Sequence, residues 1–111
     1  MKSKKKICII NPNTSEEMTN GIAKVAKKLI SSNFDIITAR PEFGPESIEG
    51  YYDEVFCIPG IISEIKRNSH SDAYIIACFD DTGLDACRSF TDKPVLGIGE
   101  CSYHAANLLG G

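Results

Sequence analysis

The stretch Tyr74–Ala86, YIIACFDDTGLDA, decides how the rest of the chain is read. Tyr74, Ile75, Ile76 and Ala77 form a short apolar run rich in β-branched residues, the pattern of a strand buried on both faces of a parallel sheet. The run stops at Cys78, where Asp80, Asp81, Thr82 and Gly83 turn the chain polar. A helical segment begins at Leu84, with Asp81 or Thr82 in place to cap its free N–H groups. A thiol therefore sits at the C-terminal tip of a strand, before a helix N-terminus. Ligands of open α/β sheets bind at that edge, and a helix N-terminus is one setting that lowers a thiol's pKa. A free cysteine is also a small hydrophobe that usually serves packing. The aspartates after Cys78 are loop and capping residues, and they point to an open mouth.

Upstream, Ile7 to Ile10 (ICII) repeats the pattern of a buried strand and ends at Asn11-Pro12-Asn13-Thr14-Ser15. Pro12 and the asparagines make a turn, and Thr14 or Ser15 can cap the next helix in a capping box with Glu17. That helix, Glu16 to Ser31, spaces Met18, Ile22, Val25, Ala26, Leu29 and Ile30 along one face, which makes Met18 a core residue. The Asn-rich turn is a second candidate site, because it also lies at a strand's C-terminal edge. A strand follows at Phe34 to Thr38, then an irregular stretch from Ala39 to Ile48 of the length often used for binding. Helical spacing resumes at Glu49 and runs to Ile65, with Pro59-Gly60 expected to kink or divide it. Tyr51, Tyr52 and Asp53 read as a half-buried helix start, and His70 as a loop residue. Pro94 to Ile98 gives a fourth strand, and Ser102 to Leu109, which carries His104, a last helix. The order β-α-β-α-β-α-β-α predicts a doubly wound, flavodoxin-like parallel sheet of four strands with helices on both faces. If the strand order is 2-1-3-4, Asn11, Ser47 and Cys78 converge at one edge.

Composition bounds the function. The 111 residues, 42% hydrophobic and 24% charged, make a single α/β domain spanning 1–111. A chain of this size buries roughly 65% of its unfolded surface. The net charge of -3 offers no basic excess for phosphates, so neither a nucleic acid nor a membrane is expected as partner. Lys2, Lys4, Lys5 and Lys6 read as a solvated lead-in to the first strand. No apolar run approaches the ~18 residues of a membrane span, and the expectation is a cytoplasmic protein without anchor or signal peptide. Five cysteines, an odd number without a CxxC pair, read as reduced thiols and offer no zinc spacing. Cys8, Cys57 and Cys87 fall within apolar or helical patterns and read as packing residues, which leaves Cys78 as the thiol at a loop mouth. No G-x-G-x-x-G or Walker loop occurs, and the first strand lacks the acidic end of a magnesium-binding receiver domain. No metal site is expected.

Four ordered motifs, INPNTS at 10–15, FGPESIEGYYDE at 43–54, ACFDDTGLDACR at 77–88 and PVLGIGE at 94–100, resemble the aspartate/glutamate/hydantoin racemase family, in particular its hydantoin and allantoin branch. The resemblance covers nearly the whole chain after the lysines. It implies cofactor-independent racemisation of a hydantoin-type small molecule by two cysteines, of which Cys78 is the first. It also implies that Asn11, Ser47, Ile48, Phe79 and Asp80 bind substrate, and it assigns no role to Asp81 or Thr82. Inverting a carbon beside a carbonyl requires removing a proton from one face and returning one to the other, with the oxyanion held by donors. Cys78 serves one face. The family resembles two similar halves closing over the substrate, with the second cysteine in the second half, and neither Cys87 nor Cys101 carries its motif. The expectation is thus an N-terminal half that ends at Leu108-Leu109-Gly110-Gly111. It would be inactive as an isolated monomer and would need a C-terminal half or a homo-oligomer. The other expectation is a non-catalytic α/β binding module or inactive remnant that keeps the substrate loops.

Overall fold

The computed structural model describes residues 4–110, so Lys2 of the lysine arm and Gly111 lie outside the described residues. Eight elements alternate along the chain: β1 (Lys5–Ile10), α1 (Glu16–Leu29), β2 (Phe34–Ala39), α2 (Tyr51–Arg67), β3 (Ala73–Ile76), α3 (Leu84–Arg88), β4 (Val95–Gly97) and α4 (Ile98–Leu108). The strands form one parallel sheet in the order β2-β1-β3-β4. The chain leaves β1 toward β2 and enters β3 on the other side, so the switch point of this doubly wound sheet lies between β1 and β3.

Alternation along each strand divides the apolar residues between two faces. Cys8, Ile10, Tyr74, Ile76 and Val95 point to one face and pack with Cys57, Ile61 and Ile65 of α2 and Leu84 and Cys87 of α3. Each fully buried aliphatic side chain there contributes roughly 1.5–3 kcal/mol. On the opposite face α1 lies against β2, and Ile98 at the start of α4 borders the space beside it. Ile9, Ile75 and Leu96 stand in register across β1, β3 and β4, and Leu96 is 42% exposed.

That open face corrects the expectation for α1. Met18, Val25 and Leu29 are exposed, and only Thr19 and Ala26 of the helix are buried. The helix sits against β2, which leaves an apolar trough of about 590 Å³ between it and β3. Ser15 caps α1 by accepting from the Met18 N–H at 3.1 Å. Met18 thereby takes the third helical position, and Glu17 lies outside the capping-box register. Tyr51 and Tyr52 begin α2 as expected but are exposed rather than half-buried. Pro59 does not divide α2, which is helical through Arg67. Gly60 lets that helix lie against the loop just after β2: a Cβ there would fall 2.7 Å from the Pro41 Cβ.

The β3–α3 and β4–α4 corners differ most from the sequence pattern. Neither Asp81 nor Thr82 caps α3; its N-cap is Gly83, at φ 75°. The Asp81 carboxylate instead reaches α4, accepting from the Gly99 N–H at 2.9 Å and the Glu100 N–H at 2.8 Å. Those acceptors satisfy amides at the start of α4, so the helix begins at Ile98, four residues before the expected Ser102. From Cys101 to Gly110 every residue is exposed.

Candidate functional site

The ladder between β1 and β3 extends one residue past the strands, where Ala77 N–H donates to the Ile10 carbonyl at 2.9 Å. Cys78 follows at the carboxyl edge, beside the turn that leaves β1. A loop hydrogen bond, Thr14 N–H to the Pro45 carbonyl at 3.1 Å, draws the irregular 40–50 segment over that turn. The resulting cavity, about 380 Å³, is lined by residues from β1's turn, α1, the long loop, Ala77-Cys78-Phe79 and Ile98. Asn11, Ser47, Ile48, Cys78 and Phe79 all border it. Asp80 does not; it is exposed beside the mouth. Phe79 is 70% exposed and forms part of the rim.

Asn11 is buried, and its side chain is fully engaged within the turn. Its amide donates to Asn13 Oδ1 at 2.8 Å and to Thr19 Oγ1 at 3.1 Å, while Asn13 Oδ1 also accepts from the Ser15 N–H at 2.9 Å. These bonds fix the floor of the cavity and the start of α1 together. Met18, expected in the core, lines the cavity, and its sulfur accepts from Asn13 Nδ2 at 3.3 Å. Polarisable thioethers suit such a partly open wall.

The Cys78 loop is shaped by three contacts. Asp81 N–H donates to the Cys78 carbonyl and Leu84 N–H to the Asp81 carbonyl, each at 3.0 Å, closing two successive turns with Asp81 at φ 52°. Aspartate tolerates this left-handed conformation better than most residues. Gly97 and Gly99 make room for it, because a Cβ on either would run into the Asp81 carboxylate. The DDTG and GIG segments, far apart in sequence, are therefore two sides of one joint. The third contact lies behind the thiol: Thr82 Oγ1 is 3.5 Å from Cys78 Sγ and donates to Glu54 Oε1 of α2 at 3.3 Å.

The five thiols have different surroundings. Cys8 and Cys87 are sealed in the core, where burial pushes Cys8 up to about 12, helped by the Glu64 carboxylate, and Cys87 up to about 11. Cys57 is also buried and is pushed up by desolvation, then by Asp53, Cys78 and Glu54. Cys101 is exposed on α4, so Cys78, partly exposed, is not alone in being accessible. Cys78 is distinguished by lining a cavity. Asn13 belongs to the Asn-rich turn that the sequence offered as a candidate site, whereas Glu54, Thr82 and Met18 are gathered there only by the loop and joint geometry. Among the described residues, no cluster of three or more His, Cys, Asp or Glu is placed to hold a metal. Among them too, no helix is long and apolar enough to cross a membrane.

A family model for Asp/Glu/Hydantoin racemase matches residues 7–111. The chain belongs to that family. It is 50% identical over 106 residues to a hydantoin racemase from Pseudomonas sp. (strain NS671), covering 94% of this chain and 43% of that protein. A hydantoin racemase from Paenarthrobacter aurescens is 37% identical over 107 residues, covering 94% of this chain and 45% of that one. Among solved structures, the allantoin racemase from Klebsiella pneumoniae superposes with a TM-score of 0.90 at 36% identity, covering 95% of this chain and 44% of that one. The allantoin racemase from Pseudomonas fluorescens gives 0.88 at 26% identity, with 93% and 44% covered. This racemase-family chain thus spans less than half the length of the relatives it matches.

Proposed function

We propose that this chain supplies one face of a racemase site, in which Cys78 exchanges a proton with C5 of a hydantoin-type ring, a 5-substituted hydantoin or allantoin. The observation that carries the proposal is the placement of the Cys78 thiol inside a cavity at the switch-point edge, with Asn11, Ser47, Ile48 and Phe79 around it. A cavity of about 380 Å³ suits a small cyclic substrate. The C5–H bond of a hydantoin is acidified by the neighbouring carbonyl, so a thiolate is an adequate base without a cofactor. Proton removal leaves an enolate oxygen that needs donors, and the exposed Ser47 hydroxyl and loop amides at the mouth are the groups available. Asn11 acts by holding the floor rather than by donating to substrate, because its amide protons are already used. Asp80, exposed at the mouth, meets substrate once a covering surface closes over the cavity.

Full inversion requires a donor on the opposite face of the ring, and no second thiol borders this cavity among the described residues. That donor comes from a further half of the kind the longer relatives accommodate, or from a second copy that brings another Cys78 across the mouth. Such a protein works in the reducing cytoplasm, where five free thiols persist.

Exchange of the C5 proton of an enantiopure hydantoin in deuterated buffer, followed by NMR, tests the proposal, since one base suffices for exchange. Deuterium incorporation that is lost in Cys78→Ser is expected; exchange that survives Cys78→Ser sinks it. Binding without exchange in the parent would instead favour a non-catalytic binding module.

A further inference from the structure

We infer that Thr82 is a positioning residue that lets Cys78 hold either protonation state, by turning a single hydroxyl proton between the Cys78 sulfur and the Glu54 carboxylate. The inference rests on the reading of Cys78 as the proton-transfer group. Thr82 is 4% exposed and lies between the two, 3.5 Å from Sγ and 3.3 Å from Glu54 Oε1. A hydroxyl has one proton to give and lone pairs to accept with, whereas a carboxylate only accepts. With the Thr82 proton directed at Glu54, a lone pair faces the sulfur and receives an S–H. This arrangement matches the thiol. Against a thiolate the same lone pair is repulsive, and the hydroxyl turns to donate to the sulfur instead.

Each half-reaction then balances. The substrate C–H bond breaks, its electron pair passes to the enolate oxygen, and an S–H bond forms on Cys78. The Thr82 proton rotates about the Cβ–Oγ bond from sulfur to Glu54 and is neither gained nor lost. The reverse step runs the same way backward. A racemase site needs this ambivalence, because one sulfur must take a proton from one enantiomer and return it when the other enantiomer is the substrate.

The ionisable groups near the sulfur are limited. From α2, Cys57 interacts with the Cys78 thiol and Glu54 reaches it through Thr82, while Asp53 acts on Cys57; Asp80 and Asp81 lie on the thiol's own loop, with Asp81 committed to α4. The turn after β1 and α1 contribute the uncharged Asn11, Asn13 and Met18 to the cavity. On α4, Glu100 pairs with Arg88. Glu54 is the carboxylate joined to the thiol through a hydroxyl, which is why the DDT and YYDE segments meet.

The test is the pH profile of iodoacetamide alkylation at Cys78, read by peptide mass so that Cys101 does not interfere, in the parent, E54Q, T82S, T82V and the E54Q/T82V pair. E54Q is expected to move the midpoint to lower pH by about one unit, since a neighbouring negative charge is removed and the hydroxyl is freed for the thiolate. T82S should match the parent. In T82V the shift caused by E54Q should fall by at least half, the signature of coupling through the hydroxyl. An E54Q shift of equal size in the parent and in T82V, or no shift at all, would overturn the inference. The profile needs no substrate, so that failure counts against Thr82 alone. Exchange surviving Cys78→Ser counts against the proton-transfer reading on which it depends.

Discussion

The two faces of the sheet carry equally apolar residues and differ in what covers them. On the α2/α3 face, Cys8, Ile10, Tyr74, Ile76 and Val95 are buried to 3% exposure or less. On the α1 face, Ile75 is half-buried, Leu96 is 42% exposed, and the facing α1 residues Met18 and Val25 are more than half exposed. An apolar strand run therefore does not by itself tell how closely its face is covered. One face is closed over by α2 and α3 within residues 4–110, whereas α1 leaves the other partly open. The same open side carries the cavity around Cys78.

The difference is sharpest in core substitutions. Ile76→Ala on the closed face should cost about 2–5 kcal/mol in urea unfolding, because the removed atoms leave a cavity among packed neighbours. Ile75→Ala, one residue away on the open face, should cost less than half as much. Equal losses would mean that the trough is closed in solution and would break the comparison.

The closed face also sets an alkaline limit. Cys8 and Cys87, at about 12 and about 11 against an ordinary 9.0, stay protonated in the folded chain after the unfolded chain has begun to lose those protons. Below pH 9 both states hold the protons, and the linked stability is fully present. It declines as pH rises from 9 and is lost through 11 to 12. Urea midpoints measured from pH 7 to 11 should therefore fall more steeply in the parent than in Cys8→Ser/Cys87→Ser. Parallel curves would show that these thiols are not sealed.

How far the sequence reveals these features depends on the range of each interaction. Strand order, parallel pairing and the convergence of Asn11, Ser47 and Cys78 follow from element order and handed crossovers, which the apolar runs at 7–10, 34–38 and 74–77 make visible. The cap assignment at Asp81 was illegible, because a helix lies next in sequence while the helix it serves is 18 residues on. Met18 fitted a helical stripe, and nothing local tells a stripe that meets a core from one that faces an open trough. Thr82 and Glu54 are 28 residues apart and meet only because α2 crosses behind the loop.

The joint at Asp81 lies between the two faces and should give an intermediate effect. Asp81→Ala removes the acceptors of two α4 amides and leaves a β-carbon residue in a left-handed conformation, at a cost of about 1–2 kcal/mol. Asp81→Asn tolerates the conformation and keeps one acceptor, so it should lose about half as much. Faster hydrogen exchange at the Gly99 and Glu100 amides in both variants would localise the effect, and unchanged exchange there would refute the capping role.

The smallest expected effect on stability is the most telling about the open face. Leu96→Lys and Val25→Lys place charges on residues that are already 42% and 55% exposed, so neither leaves a void or buries an unpaired ion. Their effect on the urea midpoint should stay within about 0.5 kcal/mol, the range of ordinary surface changes. Their effect on association should be larger, because an uncovered apolar patch promotes contact between molecules. The parent should bind an apolar dye and elute earlier with rising concentration, and the double variant should do both less. The same substitutions in a closed interior would cost several kcal/mol, since a lysine stem cannot carry its ammonium to water from there. A double variant that unfolds would thus show that the α1 face is already covered, whereas one that folds and loses dye binding marks it as a surface awaiting a partner.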